Sequence, residues 1–375
     1  MQTDASSETM DRSMETERKV ERVRRWLREQ ERSALVIRQR NNFAWITAGG
    51  RGHVNTARDA SVGAIVVTAD RVVLVASNIE ARRLIEEELV GTRIDVMEYA
   101  WHDADGERRL IADVSGSDGS ACDDGAPAIA SAVAVLRASL LPPEICRVER
   151  LGREAAAIVE ATCRAIEAGM AEYDVAARVH AAAQAIGARV PVCLVAADDR
   201  IGTRRHPLPT GNVVRARAMV AVCIERDGLT CSVTRLVSLV PMDADLRRRH
   251  DAVCRVDATA MCGTRVGRPL REIFEEMVSA YANVGFADEW QHHHQGGSTG
   301  YQPRDVIVGP AATACVQESQ LFAWNPSIAG TKSEDTILAT STSFRCLTTS
   351  GSDWPSLEVE LDGEIVSRPD ILVRA

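Results

Sequence analysis

The feature that most restricts how this chain can fold is a repetition within its second half. The stretch "EAGMAEYDVAARVHAAAQAIGA" and the stretch "RVGRPLREIFEEMVSAYANVGFA" share one plan, in which a glycine leads an amphipathic helical pattern and a second glycine closes it 18 positions on. The glycine pairs are Gly169 with Gly187 and Gly267 with Gly285, an offset of 98 residues. Each copy runs on into a β-hairpin pattern, "MVAVCIERDGLTCSVTRLVSLV" and "LFAWNPSIAGTKSEDTILAT", with Gly228 and Gly330 at the matching turns. A doubled helix–hairpin unit predicts two pseudo-symmetric halves that bury a common interior. Aligning the turns makes Ser232 equivalent to Glu334 and Thr234 equivalent to Thr336. Because strand side chains alternate, all four are sent to one face. The expectation is one sheet with a shared polar interior.

Upstream, "ERKVERVRRWLREQ" places Val20, Val23, Trp26 and Leu27 on one helical stripe, after a polar start read as a disordered tail over 1–15. The apolar runs "SALVIR", "GAIVVTA", "RVVLVAS" and "IDVMEY", with the helical "NIEARRLIEEEL" between the last two, predict an α/β domain over 16–150. Two breaks, "SGSDGSACDDGAP" at Ser115 to Pro127 and "LLPPE", precede a long helical pattern starting near Glu149, which sets the boundary near 150. The second domain then covers 151–375, and 375 residues are ample for two cores. The fold class is α+β.

A net charge of -9 with no basic block excludes a phosphate backbone as partner. No segment holds 18 uninterrupted apolar residues, and the start lacks an apolar signal core, so the expectation is a cytoplasmic protein with no membrane association. Ten scattered cysteines without a CxxC pair fit neither a zinc ribbon nor a disulfide framework and read as reduced thiols. Only two of the 44 basic residues are lysines, Lys19 and Lys332, so each of these positions draws notice.

In the second half, "RRHPLPT", "GLTCSVTRLV", "HHHQGG", "FAWNPSI" and "KSEDTILAT" follow one another in the order and spacing of the motifs of the pita-bread superfamily of metallo-aminopeptidases, prolidases and creatinase. The resemblance covers nearly the whole chain. It implies a creatinase-like N-terminal α/β domain, a pita-bread C-terminal domain and a homodimer. It also implies, in the peptidases, two divalent ions held by two aspartates, a histidine and two glutamates. Here that pattern fails. The first aspartate's place falls on Ala221 or Cys223, the second on Ser232, and the first glutamate becomes Asn325, which leaves His294 and Glu334. A pair of divalent ions needs several carboxylates, because hard cations take oxygen ligands and unpaired buried charge is costly. No metal and no cofactor are therefore expected.

The side-by-side histidines His292, His293 and His294 raise the alternative of a single zinc. Adjacent residues on an extended segment point to opposite faces, so at most His292 and His294 share a side. Imidazoles with an ordinary pKa near 6.5 suit proton transfer instead.

By motif position His206 is the general acid or base, with His294, Glu334 and Asn325 completing the catalytic set. Ser232, Arg235, His293, Tyr301, Arg304 and Lys332 are the expected substrate contacts, with Arg204 and Arg205 close to the same motifs. Tyr301 falls where the peptidases tend to carry a second histidine. Lys332, two residues from Glu334, places an ammonium where a metal charge is lost. Gly296, Gly297 and Gly300 allow close backbone approach to a ligand, or tight turns. Cys223 and Cys231 adjoin the cavity as buried thiols or, less simply, a nucleophile.

Creatinase, the superfamily member that works without metal, sets the expectation. It is a metal-independent hydrolase or lyase acting on a C–N bond of a small, polar, carboxylate-bearing metabolite. A non-catalytic binding or scaffold protein and an Xaa-Pro-type metallo-aminopeptidase with altered ligands stay open beside it.

Overall fold

The structure is a computed structural model that describes residues 10–116, 119–361 and 363–375. The chain divides into two compact units, Met1–Ile145 with Asp227–Leu229, and Cys146–Arg226 with Thr230–Ala375. Among the described residues no helix is long and apolar enough to cross a membrane.

The first unit opens with α1 (Arg12–Glu29), so residues 12–15, read from sequence as tail, are helical; residues 1–9 lie outside the described residues. Asp11 starts the helix early because its carboxylate accepts the Met14 N–H at 2.8 Å. Val20, Val23 and Leu27 are buried as expected, whereas Trp26 is only half-buried. The stripe is completed by Lys19, whose ammonium is fully buried between Glu15 (2.6 Å), Glu144 (3.0 Å) and the Trp45 carbonyl (2.8 Å).

The four apolar runs become β1 (Ala34–Gln39), β2 (Ala60–Thr68), β3 (Val72–Ser77) and β4 (Asp95–Tyr99). Together with β5 (Ala121–Cys122) they form one sheet in the order β4-β3-β2-β1-β5. β5 lies inside the Gly/Ser/Asp-rich stretch read as a break. It joins the sheet because it pairs in parallel with β1, Leu35 opposite Ala121. Both sheet faces are covered, which is why the strands read as continuous apolar runs. Ala34, Val36, Ala64, Val66, Val73 and Val75 pack with Leu110 and Ile111 of α2 (Gly106–Ser115), and Leu35, Ile37, Ile65 and Leu74 are also wholly buried.

A long helix, α3, spans Pro142–Arg164 and starts at the prolines, well before Glu149. Proline in a first turn gives up no hydrogen bond and presets the backbone angle, so "LLPPE" begins the helix rather than preceding it.

The internal repeat is realised to the residue. Helix α4 spans Glu172–Ala185 and α6 spans Leu270–Asn283, the same 98-residue offset at both ends. The leading glycines are held alike: Gly169 N–H bonds the Val214 carbonyl and Gly267 N–H the Val316 carbonyl, each at 2.8 Å. Between the two copies runs α5 (Ala244–Gly263).

In the first copy β6 (Arg189–Ala197), β7 (Arg217–Arg226) and β8 (Leu229–Ser238) form a sheet completed by β18 (Leu372–Val373), in the order β18-β8-β7-β6. The second copy supplies β9 (Gly296–Thr299), β10 (Val306–Ile307) and β11 (Leu321–Trp324), then a small hairpin of β12 (Ser327–Ile328) with β13 (Thr331–Lys332), and then β14 (Asp335–Ala339) and β15 (Phe344–Cys346). Its sheet runs β10-β9-β11-β14-β15, and β16 (Ser356–Leu361) pairs with β17 (Glu364–Pro369) apart from it.

The single sheet expected from the repeat is therefore two sheets that meet edge to edge. At the meeting line Thr234 N–H bonds the Glu334 carbonyl at 3.0 Å, but the Ser232 N–H goes to the Thr336 hydroxyl (2.7 Å), which in turn donates to the Ser232 carbonyl (3.0 Å). A threonine side chain thus stands in for one rung of backbone ladder. Since Ser232 is equivalent to Glu334 and Thr234 to Thr336, the contacts Ser232–Thr336 and Thr234–Glu334 have the reciprocal form of a two-fold interface, here inside one chain.

Gly296 and Gly297 have φ of +92° and +149°, and a Cβ on either would collide with a backbone oxygen, of Ala323 and Val306 respectively. Their close approach is to the flanking strands β11 and β10. Gly297→Ala is expected to cost about 1–3 kcal/mol through overpacking, measured as a lower urea midpoint with unchanged slope.

Candidate active site

The second unit encloses a cavity of about 100 Å³ lined by His206, Cys223, His294, Arg304, Asn325, Lys332 and Glu334, with apolar walls from Val192, Leu194, Ala221 and Val222. Six of the ten predicted site residues thus line one cavity: His206, His294, Arg304, Asn325, Lys332 and Glu334. The tight turn after β13 carries Lys332 and Glu334 to the same side, as their two-residue spacing predicts.

At the centre is Glu334, 4% exposed, with both carboxylate oxygens engaged. Oε2 accepts the Lys332 ammonium (2.8 Å) and the Thr234 hydroxyl (2.7 Å), and Oε1 accepts the Arg304 guanidinium (2.7 Å). Burial pushes this carboxyl up, but Lys332 and Arg304 outweigh it and hold it down at about 2. Arg304 also donates to the Ser232 hydroxyl at 3.0 Å, and Ser232 lies 3.2 Å from the Cys223 thiol.

The histidines form the other side. His206 Nε2 and His293 Nε2 are 3.0 Å apart, and His293 and His294 stack with ring centroids 4.4 Å apart. The Gly296 N–H reaches His294 Nδ1 at 3.3 Å. His292, which the alternation argument grouped with His294, is exposed instead, because a 3₁₀ turn over Glu289–His292 replaces the extended segment that argument assumed. Burial, then the Lys332 charge, lowers the pKa of His206 and lowers that of His293 to about 2. Burial with Arg304 and Lys332 lowers His294 to about 4. At neutral pH all three are uncharged.

Of the other four predicted residues, Ser232 and His293 adjoin the lining through Arg304 and His206, whereas Arg235 and Tyr301 lie elsewhere. Arg235 is buried away from the cavity lining, paired with Glu160 (3.3 Å) and Asp335 (3.0 Å) and donating to the Thr348 carbonyl (2.9 Å). Tyr301 is 2% exposed and is not among the lining residues. Arg205 bonds Ser327 and Glu289, and Arg204 is exposed. Cys231 faces the Val148 carbonyl, and burial raises both its thiol and that of Cys223, so neither has nucleophile character.

Sequence reasoning missed the carboxylate next door. Asp335 accepts Arg235 on one oxygen and Arg368 (2.7 Å) on the other, and Arg368 continues to Asp257 (2.7 Å), whose carboxyl burial pushes up to about 6. A run of buried acid and arginine on helix, strand and terminal hairpin was legible only as separate letters.

The donor set does not fit the paired divalent ions that the peptidases of the superfamily hold. Glu334 is the one carboxylate among the lining residues, and its oxygens already face two cations. One ring nitrogen of each of His206, His293 and His294 lies within 4.8 Å of the others, so this triad is a candidate to hold a single ion, with the His293 and His294 rings 24° from parallel.

Glu334→Gln is expected to destabilise the chain by about 3–5 kcal/mol, because Lys332 and Arg304 stay buried with their charge uncompensated. Adding Lys332→Met should recover part of that loss, and a double-mutant cycle in urea measures the coupling. Asp335→Ala should cost a similar amount for the same reason.

Comparisons with known proteins agree with the geometry of the fold. The family model "Metallopeptidase family M24" matches residues 147–341. No curated protein matches the chain in sequence. Among solved structures, the dipeptidase PepE from Mycobacterium ulcerans superposes with a TM-score of 0.75 at 17% identity, over 96% of this chain and 98% of that one. The prolidase from Pyrococcus horikoshii OT3 gives 0.73 at 16% identity, over 90% and 99%. The N-terminal domain of FACT complex subunit SPT16 from Cicer arietinum (chickpea) gives 0.68 at 11%, over 90% and 97%. The α+β architecture is that of the pita-bread fold, and with more than half its length matched, this chain belongs to metallopeptidase family M24.

Proposed function

We propose that the protein is a metal-independent hydrolase of this family that cleaves a C–N bond in a small, polar, carboxylate-bearing metabolite. The observation that carries the reading is the pairing of Glu334 with Lys332 and Arg304, which supplies from the chain itself the positive charge that a metal pair supplies elsewhere in the family. Preorganised cations of this kind stabilise negative charge developing on a substrate oxygen without any reorganisation.

In this reading His206 is the proton carrier. It sits at the exposed edge of the cavity, its ring is held by His293 through Nε2, and its lowered pKa leaves it neutral and able to accept a proton. It takes a proton from water as the oxygen bonds to the carbon, and returns it to the departing nitrogen as the C–N bond breaks. His294 and Asn325 orient the substrate, and Glu334 fixes the two cations in place.

A second reading, a binding protein without catalysis, draws on the same feature, because an acid whose oxygens are both engaged cannot itself activate water. Turnover separates the two. His206→Ala should lower kcat about 10²–10⁴-fold while leaving the fold intact, and a chain that binds ligand equally well with or without His206, with no turnover in either form, is a binding module. Because the base must be uncharged, kcat/KM should climb as pH rises through a value below 6.5 and stay level through neutrality. Chelator treatment and metal analysis of the purified protein should leave activity unchanged and find no stoichiometric ion; two tightly held ions per chain would end the proposal.

A further inference from the structure

We infer that Glu172 and Arg200, which the chemistry above does not use, are positioning residues that hold the loop carrying His206 in place. For its consequence in turnover, this rests on the reading of His206 as the proton carrier. The observation is a break in the internal repeat. Helix α4 begins at Glu172 and α6 at Leu270, and the two N–H groups make the same backbone bond, to the Asn212 and Ala314 carbonyls, each at 2.9 Å. By that match Thr210 is equivalent to Ala312. In the second copy the corner is apolar, with Leu270 in a buried cluster against which Ala312 packs. In the first copy it holds a wholly buried glutamate and a half-buried threonine. The second copy shows that this corner can close without charge, and burying a carboxylate is costly unless it is fully met.

The bonds of Glu172 say what the charge is for. Oε1 accepts the Ala197 N–H at 2.8 Å, at the end of β6. Oε2 accepts the Thr210 N–H at 2.8 Å and the Thr210 hydroxyl at 2.7 Å. Oε2 also pairs with Arg200, which stands in the helical turn Asp199–Thr203 and donates to the Leu208 carbonyl at 2.9 Å. Leu208 and Thr210 follow His206 by two and four residues, so the clamp fixes the backbone just past the imidazole. Next to His206 the Pro207 carbonyl accepts the Val195 N–H at 3.1 Å, and Arg205 donates to the Ser327 hydroxyl at 3.0 Å. His206 itself is exposed, so burial does not place its ring. Backbone bonds and His293 do.

The variant Glu172→Leu with Thr210→Ala rebuilds the first corner on the plan of the second, and its urea midpoint should stay close to that of the wild type. Should it fail to fold, Glu172→Gln, which keeps the volume and one acceptor, carries the same readouts. Exchange of the Val195 amide, which bonds neither substituted residue, should quicken at least roughly tenfold as Pro207 lifts away, the scale of one hydrogen bond to a charged group. On a substrate that the wild-type chain hydrolyses, kcat should fall about 10²-fold with KM within about twofold, as expected for a catalytic group displaced by about 1 Å. In a His206→Ala background the same pair should cost nothing further, because it acts through that imidazole.

Unchanged Val195 exchange, undiminished kcat, or an equal further loss of kcat in the His206→Ala background would overturn the inference and leave the hydrolase reading standing. Quickened Val195 exchange in a protein whose wild type turns over no substrate would sustain the tether and remove the hydrolase reading.

Discussion

The arrangement of the second unit turns on one buried anion. Glu334 sits where the two halves of the repeat meet, and its charge is tolerable there only because an ammonium, a guanidinium and a hydroxyl reach it within 2.8 Å. Those contacts tie together three separate pieces of chain: the β13–β14 stretch that carries Lys332 and Glu334, the segment before β10 that carries Arg304, and strand β8 through Thr234. Burial first, and then the cations beside Glu334, keeps His293 and His294 neutral. A divalent ion bound to the one carboxylate among the lining residues would have to displace Lys332 or Arg304 from it.

Much of this was readable before any coordinates. The repeat was visible because two glycines bracket each helix, and a glycine with positive φ at both ends is a local requirement that sequence records directly. The two-residue spacing put Lys332 on the same face as Glu334, and the structure adds their ion pair. What escaped notice depended on partners distant in sequence. Arg235 looked like a substrate clamp because it lies beside the cavity motifs, yet its partners Glu160 and Asp335 are 75 and 100 residues away. Tyr301 was placed by family position, and burial rather than motif decides its surroundings. The histidine run was misjudged by assuming an extended backbone where a 3₁₀ turn intervenes. The two-sheet outcome was hidden for a subtler reason, since a threonine hydroxyl taking over a backbone rung leaves no trace in hydrophobic periodicity.

Glu334 and Asp335, adjacent in sequence, divide their labour by strand alternation. One faces the cavity, the other the arginines Arg235 and Arg368 behind the sheet. Each carboxylate is matched by two cations, and the two groups of charges occupy opposite sides of β14. The polar interior is therefore two layers, one that can meet a ligand and one that cannot, and only the first had a counterpart in the sequence motifs.

The scarcity of lysine has a practical side. Lys19 lies fully buried in the first unit and Lys332, 6% exposed, in the second, in a chain that uses arginine everywhere else. An acylating reagent that seeks ε-amines therefore finds no exposed target among the side chains of the native fold, and each compact unit conceals a single reactive amine. Modification at one position or the other becomes a record of which unit has opened, written by the composition of the chain without any engineered label.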